Sequence, residues 1–105
     1  MNRIEILKGF LNENPNDSFS RYALALEYAK LGQNEDALKE FEGVRNNDPN
    51  YVATYFQLGQ LYQKLGRPHD AEKIYRTGIT VAAKAGEEHT RSELEAALEG
   101  VLGAG

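Results

Sequence analysis

The 105-residue chain contains no cysteine, so disulfide bonds and thiol chemistry are excluded in any compartment. Charged side chains at Arg3, Glu5 and Lys8 interrupt residues 1–11, so we expect no signal-peptide hydrophobic run there. No stretch approaches the roughly 20 apolar residues that a transmembrane helix needs. With 41% hydrophobic and 27% charged residues, the composition is that of an ordinary globular domain. We therefore expect one cytoplasmic domain with no membrane partner.

Groups that would support catalysis or hold a cofactor are scarce. His69 and His89 fall in different predicted helices and there is no cysteine, so no metal-ligand spacing is found. The adjacent acidic pairs at 35–36 and 87–88 stand where helices are predicted to begin, which favours solvated charges over acid/base groups. The glycines that follow the predicted helices are single, so the sequence has no glycine-rich phosphate loop. We expect no enzyme activity, no metal site and no cofactor.

The formal net charge of −4 argues against nucleic acid as a partner. The charge is unevenly distributed, with −1 over residues 1–17, −2 over 18–51, +3 over 52–85 and −4 over 86–105. Two interpretations stay open. The acidic tail packs beside the basic segment so that the charges compensate, or the two regions attract opposite charges on other molecules.

Residues 18–51 and 52–85 carry the same pattern, which repeats after about 34 residues. Eight positions are identical between the two blocks: Leu24/Leu58, Tyr28/Tyr62, Lys30/Lys64, Leu31/Leu65, Gly32/Gly66, Asp36/Asp70, Ala37/Ala71 and Lys39/Lys73. A fixed period of this length is typical of helical repeat arrays, in which each unit buries its apolar face on its neighbours.

Apolar spacing, glycines and prolines predict six helices. They cover residues 3–13, 18–31, 34 to about 47, 52–65, 68–85 and 88–102. Gly32, Gly66 and Gly86 are expected to end helices because glycine adopts positive φ without a Cβ penalty. Asn34 is expected to cap the third helix, and the end at 103–105 is expected to fray.

These residues resemble the tetratricopeptide repeat (TPR) family over residues 18–85. The second block shows the family pattern in Tyr55, Leu58, Gly59, Tyr62, Gly66, Ala71, Tyr75 and Gly78. The first block shows it in Arg21, Leu24, Ala25, Tyr28, Gly32, Ala37, Phe41 and Val44, with Pro49 closing it. Arg21 departs from the usual bulky apolar residue, and Val44 departs from the usual small one.

The resemblance implies an all-α fold, a right-handed array of helical hairpins with about six helices. We expect a single TPR domain over 1–105, with an N-terminal capping helix in 1–17, repeats at 18–51 and 52–85, and a C-terminal capping helix in 86–105. Small residues at the crossing of each hairpin, Ala25 with Ala37 and Gly59 with Ala71, would let the two backbones approach closely.

The resemblance also implies that the first helix of each repeat lines a concave groove that binds a peptide or a partner helix. The residues predicted to line it are Phe19, Tyr22, Leu26, Ala29, Lys30, Phe56, Gln60, Gln63 and Lys64. Aromatic anchors beside flexible polar side chains are typical of interaction sites. The alternative left open is that the terminal helices cover these residues and make them internal core.

Within the family, some domains bind the C-terminal carboxylates of chaperones through lysine and asparagine side chains. At those positions this chain has Tyr22, Leu26 and Gln57, so we expect an apolar or amphipathic helix or an extended segment instead.

Self-association is the second hypothesis for function. The first predicted helix carries a wide apolar stripe made of Ile4, Ile6, Leu7, Phe10 and Leu11. Such a stripe, where exposed, is typical of an oligomer contact and favours a homodimer through this helix. The alternative is that neighbouring helices bury the stripe completely.

Overall fold

A computed structural model describes residues 2–104 of the chain, and within them the fold is all-α with six helices. These are α1 (Arg3–Glu13), α2 (Ser18–Lys30), α3 (Asn34–Asn47), α4 (Ala53–Lys64), α5 (Pro68–Ala85) and α6 (Glu88–Ala104). The predicted fold class and number of helices are confirmed. The chain divides into two compact units, Met1–Tyr51 and Val52–Gly105.

Most of the predicted helix ends are confirmed. Gly32, Gly66 and Gly86 follow α2, α4 and α5 with φ of +77°, +74° and +72°, where a residue with a Cβ would be strained. Pro68 is the first residue of α5, where its missing N–H costs no hydrogen bond. As predicted, α5 with 18 residues is longer than α3 with 14 residues.

Two predicted ends differ from the structure. Asn34 is the first helical residue of α3, because the non-helical backbone of the cap lies one residue earlier, at Gln33. The last helix continues beyond Leu102 through Ala104, while Gly105 lies outside the described residues. A glycine inside a helix costs only about 1 kcal/mol, which does not suffice to end it at Gly103.

In the first unit, α2 and α3 pack against each other as a hairpin, and Ala25 of α2 and Ala37 of α3 are both fully buried. Arg21, at the position where the family has a bulky apolar residue, lies over Gly43 and is held at its head group. It donates from Nη1 to Oε1 of Glu40 and from Nη2 to the carbonyl oxygen of Pro15, each at 2.8 Å. The arginine stem therefore fills the apolar position, and its charge is paired at the rim.

The first helix packs against α2 on the side of Glu27 and Tyr28. Arg3 forms an ion pair with Glu27 at 2.7 Å, and the Lys8 ammonium lies 5.9 Å from the ring centre of Tyr28. Leu11 is buried. The hydrogen bond to the Tyr28 hydroxyl raises the pKa of Lys8. This contact leaves the opposite side of α2 uncovered by α1.

In the second unit, α4 and α5 form the equivalent hairpin, and α6 packs on both of them. The ring of Tyr75 lies directly against Gly59, and a Cβ there would come within 2.6 Å of the ring carbons Cδ1 and Cζ. A Cβ at Gly78 would come within 2.6 Å of the Tyr55 Cβ and within 3.1 Å of Leu94 Cδ1. Glycine is therefore required at both positions by close helix packing.

The acidic last helix lies beside the basic α5, but its ion pairs are internal. Arg91 pairs with Glu88 and Glu95 of its own helix, and Arg76 pairs with Glu72 within α5. Within the described residues, no ion pair joins α5 to α6, although the two helices pack against each other.

Candidate partner-binding surface

The side of α2 that faces away from α1 carries a stripe of side chains that are exposed or half-buried. Phe19, Leu26 and Lys30 are spaced by seven and four positions, which places them in one line along the helix. Phe19 is 69% exposed, Lys30 is exposed, and Leu26 is half-buried. Ala29, half-buried, lies at the edge of this stripe.

Tyr22 is placed on the same side of α2 but is partly used by packing within the first unit. Its ring centre lies 5.8 Å from that of Phe41, edge to face, and 5.4 Å from that of Tyr51. Burial of Tyr51, together with the nearby carboxylates of Asp17 and Asp48, raises the pKa of its hydroxyl. Tyr22 is half-buried as a result, so it both supports the unit and presents a part of its ring to solvent.

Tyr51 has no signal in the repeat pattern, because its counterpart one period later is Ala85. The family pattern also leaves out four small or apolar residues that are buried in the structure. These are Ser20, Ala23, Thr54 and Leu61.

On α4 the predicted partner residues lie opposite the buried side formed by Tyr55, Leu58 and Tyr62. Phe56 is half-buried, and the exposed residues on this side are Gln60, Gln63 and Lys64.

One of these polar side chains has an internal partner. The Oε1 of Gln63 accepts a hydrogen bond from the Tyr75 hydroxyl at 2.6 Å. Burial raises the pKa of Tyr75 to about 12. Gln63 therefore helps to hold the hairpin and has less freedom to orient a ligand than Gln60 has.

The predicted residues thus form two surfaces, each inside its own unit. We name them the α2 face (Phe19, Tyr22, Leu26, Ala29 and Lys30) and the α4 face (Phe56, Gln60, Gln63 and Lys64). The alternative that the first helix covers Phe19 is wrong, because α1 contacts α2 on the side of Glu27 and Tyr28.

The apolar stripe of α1 is divided between core and surface. Leu11 is buried, and Ile4 and Leu7 are half-buried. Ile6 and Phe10 are 55% and 48% exposed, so neighbouring helices do not bury the stripe completely. These two residues are one turn apart and form a small apolar patch.

Within residues 2–104, no cluster of three or more histidine, aspartate or glutamate side chains is placed to hold a metal ion. No helix of this part of the chain combines the length and the apolar character needed to cross a bilayer.

Two family models match the chain, one described as TPR repeat over residues 25–66 and one described as tetratricopeptide repeat over residues 52–84. Together they cover most of the region in which the sequence repeats. A search of curated protein sequences returns no significant match.

Among solved structures, the chain is similar to a tetratricopeptide repeat domain protein from Salinibacter ruber. The two are 44% identical, the comparison covers 85% of this chain and 90% of that one, and the TM-score is 0.81. PcrH, solved in complex with the chaperone binding region of PopD, is 22% identical with a TM-score of 0.90, covering 96% and 77%. The TPR2B domain of yeast Sti1, in its pHsp70 complex, is 16% identical with a TM-score of 0.89, covering 97% and 82%. The last two likenesses concern the fold alone.

Proposed function

The chain belongs to the tetratricopeptide repeat family, and from that premise we propose that it is a non-catalytic protein-interaction module. Its partner is a peptide segment or a helix of another protein, which binds to the α2 face and the α4 face. The finer proposal is that both faces serve one partner, as the concave groove implied by the resemblance would require. The division of the chain into a cap, two repeats and a second cap belongs to the same proposal.

The observation that carries this proposal is the exposure of Phe19. A phenylalanine that is 69% exposed at the start of a helix contributes little to the stability of the unit by burial. Leu26 follows it along the same stripe, and Phe56 is only half-buried on the α4 face. Aromatic side chains of this kind are the usual anchors of protein interfaces. The similar folds of PcrH and the Sti1 domain, each solved with a bound protein segment, support the same class of function.

The test is the double variant Phe19→Ala and Phe56→Ala, used to capture a partner from the native lysate. Loss of an aromatic anchor costs a few kcal/mol at an interface, so capture should fall by at least about tenfold. Phe19 is mostly exposed and Phe56 only half-buried, so the helical circular dichroism should be close to that of the wild type.

Phe10→Ala is the matched control, because it removes another exposed phenylalanine, this time from α1. It should leave capture unchanged. The single variants Phe19→Ala and Phe56→Ala separate the two faces. Equal loss from each single variant supports one partner on both faces, and unchanged capture by the double variant would contradict the proposal.

Self-association is the second candidate function, and the exposed Ile6 and Phe10 on α1 favour it. If these residues form a homodimer contact, the wild type will sediment as a dimer at micromolar concentration. The double variant Ile6→Ser and Phe10→Ser should be monomeric, and Phe19→Ser should dimerise like the wild type. A wild type that stays monomeric across that concentration range removes this candidate.

A further inference from the structure

The arginines and the lysines of this chain are used differently. All six arginines form ion pairs with carboxylates: Arg3, Arg21, Arg45, Arg67, Arg76 and Arg91. Within residues 2–104, none of the six lysines lies within ion-pair distance of a carboxylate, although Lys8 contacts the Tyr28 ring. The lysines that remain exposed therefore carry positive charge that no neighbouring side chain neutralises directly.

Two of these lysines lie on helices that are almost free of negative charge. The only carboxylate of α2 is Glu27, which is already paired with Arg3, and α4 contains none. The other four helices each carry two or more acidic residues. Lys30 and Lys64 therefore give the α2 face and the α4 face a local positive charge, in a chain whose net charge is −4.

From this charge distribution we infer that the partner of the α2 and α4 faces is an acidic amphipathic segment. On the α2 face its large apolar side chains contact Phe19 and its acidic side chains pair with Lys30. On the α4 face the same two roles fall to Phe56 and Lys64. The inference rests on the proposed function and specifies the chemistry of its partner. Complementary charge selects between partners and steers association more than it adds to affinity, so the lysines act as the selective element.

The spacing along each helix constrains such a segment. Phe19 and Lys30 are 11 positions apart in the sequence, which corresponds to about 16 Å along the axis of α2. Phe56 and Lys64 are eight positions apart, about 12 Å along α4. A helical partner would place its apolar and acidic residues about three turns apart for α2 and about two turns apart for α4. Lys30 and Lys64 both lie in the last turn of their helices, so the acidic residues contact that end of each face.

The probe that tests this inference is a random peptide library displayed on phage and selected on the immobilised full chain. Peptides of about 15 residues suffice, since they form about four helical turns and so span the longer of the two spacings. The wild type should enrich peptides that combine aromatic or large aliphatic residues with aspartate and glutamate. The double variant Lys30→Glu and Lys64→Glu should enrich peptides of the opposite charge.

The chain supplies a matched control in Lys39→Glu and Lys73→Glu. These lysines are the second pair that repeats with the same period, and they lie on α3 and α5. The control variant changes the net charge by the same amount but leaves the α2 face and the α4 face intact. It should select the same acidic peptides as the wild type.

A selected acidic peptide should bind the Lys30→Glu, Lys64→Glu variant at least about tenfold more weakly than it binds the wild type. The difference should shrink as salt is raised, because exposed charges are screened. Enrichment of neutral or basic peptides that still require Phe19 and Phe56 would overturn the acidic partner and leave the proposed function standing. Failure to enrich any peptide would count against both, and an unchanged charge preference in the Lys30→Glu, Lys64→Glu variant would overturn this inference alone.

Discussion

At the scale of single residues, the contact between Gly59 and the Tyr75 ring fixes how closely α4 and α5 approach. Gly59→Ala gains about 1 kcal/mol of helix propensity but forces a Cβ into the ring, which costs more because Tyr75 is fully buried. We predict a net loss of about 2 kcal/mol in the free energy of unfolding, measured by urea denaturation. Gly100→Ala is the control, since nothing lies within 4 Å of a Cβ there, and it should stabilise the chain by up to about 1 kcal/mol. A Gly59→Ala variant as stable as the wild type would show that the hairpin can open without cost.

The buried Tyr75 hydroxyl predicts a loss of stability at alkaline pH. Its pKa in the folded chain is about 12, above the value of about 10 in an unfolded chain, because burial disfavours the phenolate. The stabilisation is fully present below pH 10 and is lost as the pH rises through 12. Between these values the free energy of unfolding should fall by up to about 1.4 kcal/mol per pH unit from this group.

Tyr75→Phe is the control for this dependence. It removes the hydrogen bond to Gln63 and should cost about 1 kcal/mol at neutral pH. Its stability should then fall less steeply than that of the wild type between pH 10 and 12, as followed by urea denaturation. Parallel curves for the two proteins would mean that another tyrosine dominates the alkaline transition.

At the scale of helices, the Arg21–Glu40 pair joins α2 to α3 and replaces an apolar contact. Arg21→Leu places an apolar side chain at this position, as is usual in the family, but leaves the mostly buried Glu40 carboxylate without its partner. We predict a loss of about 1–3 kcal/mol for this variant, measured by urea denaturation. Adding Glu40→Leu should recover most of the loss, since removing both partners leaves no unpaired charge. Additive losses in the double variant would show that the pair is not coupled.

The helices themselves could be predicted well because their signals are local and occur twice. The repeat period aligned Ala25, Ala37 and Gly59 at helix crossings, and the structure confirms that these small residues are buried. A glycine ends a helix because its own backbone adopts positive φ, which requires no contact with another element. The positions of Gly32 and Gly66 could therefore also be predicted.

The contacts of individual side chains could not be predicted, because they join different helices or loops and the repeat period gives no information about them. Tyr51 lies in a connection where the repeats differ, and its packing on Tyr22 appears only in three dimensions. The helical spacing predicts that Gln63 is exposed, yet its amide oxygen accepts a hydrogen bond from the Tyr75 hydroxyl. Helix periodicity predicted which side of α4 is exposed but could not reveal this hydrogen bond.

At the scale of the whole molecule, the residues that hold each unit together differ from those that remain for a partner. Close packing uses Gly59, Tyr75 and the buried alanines Ala25 and Ala37. Phe19, Lys30, Gln60 and Lys64 are exposed and are not needed for that packing. The exposed patch on α1 is a separate surface, so the proposed partner binding and the proposed self-association should be separable by mutation.

Partner binding to the α2 face and the α4 face can be tested residue by residue with the ¹⁵N-labelled chain. The measurement is the change in backbone amide chemical shifts when a peptide selected from the library is added. The largest changes should follow Phe19 to Lys30 along α2 and Phe56 to Lys64 along α4, with small changes in α1 and α3. Changes concentrated on α1, or on the exposed sides of α3 and α5, would contradict binding at these two faces.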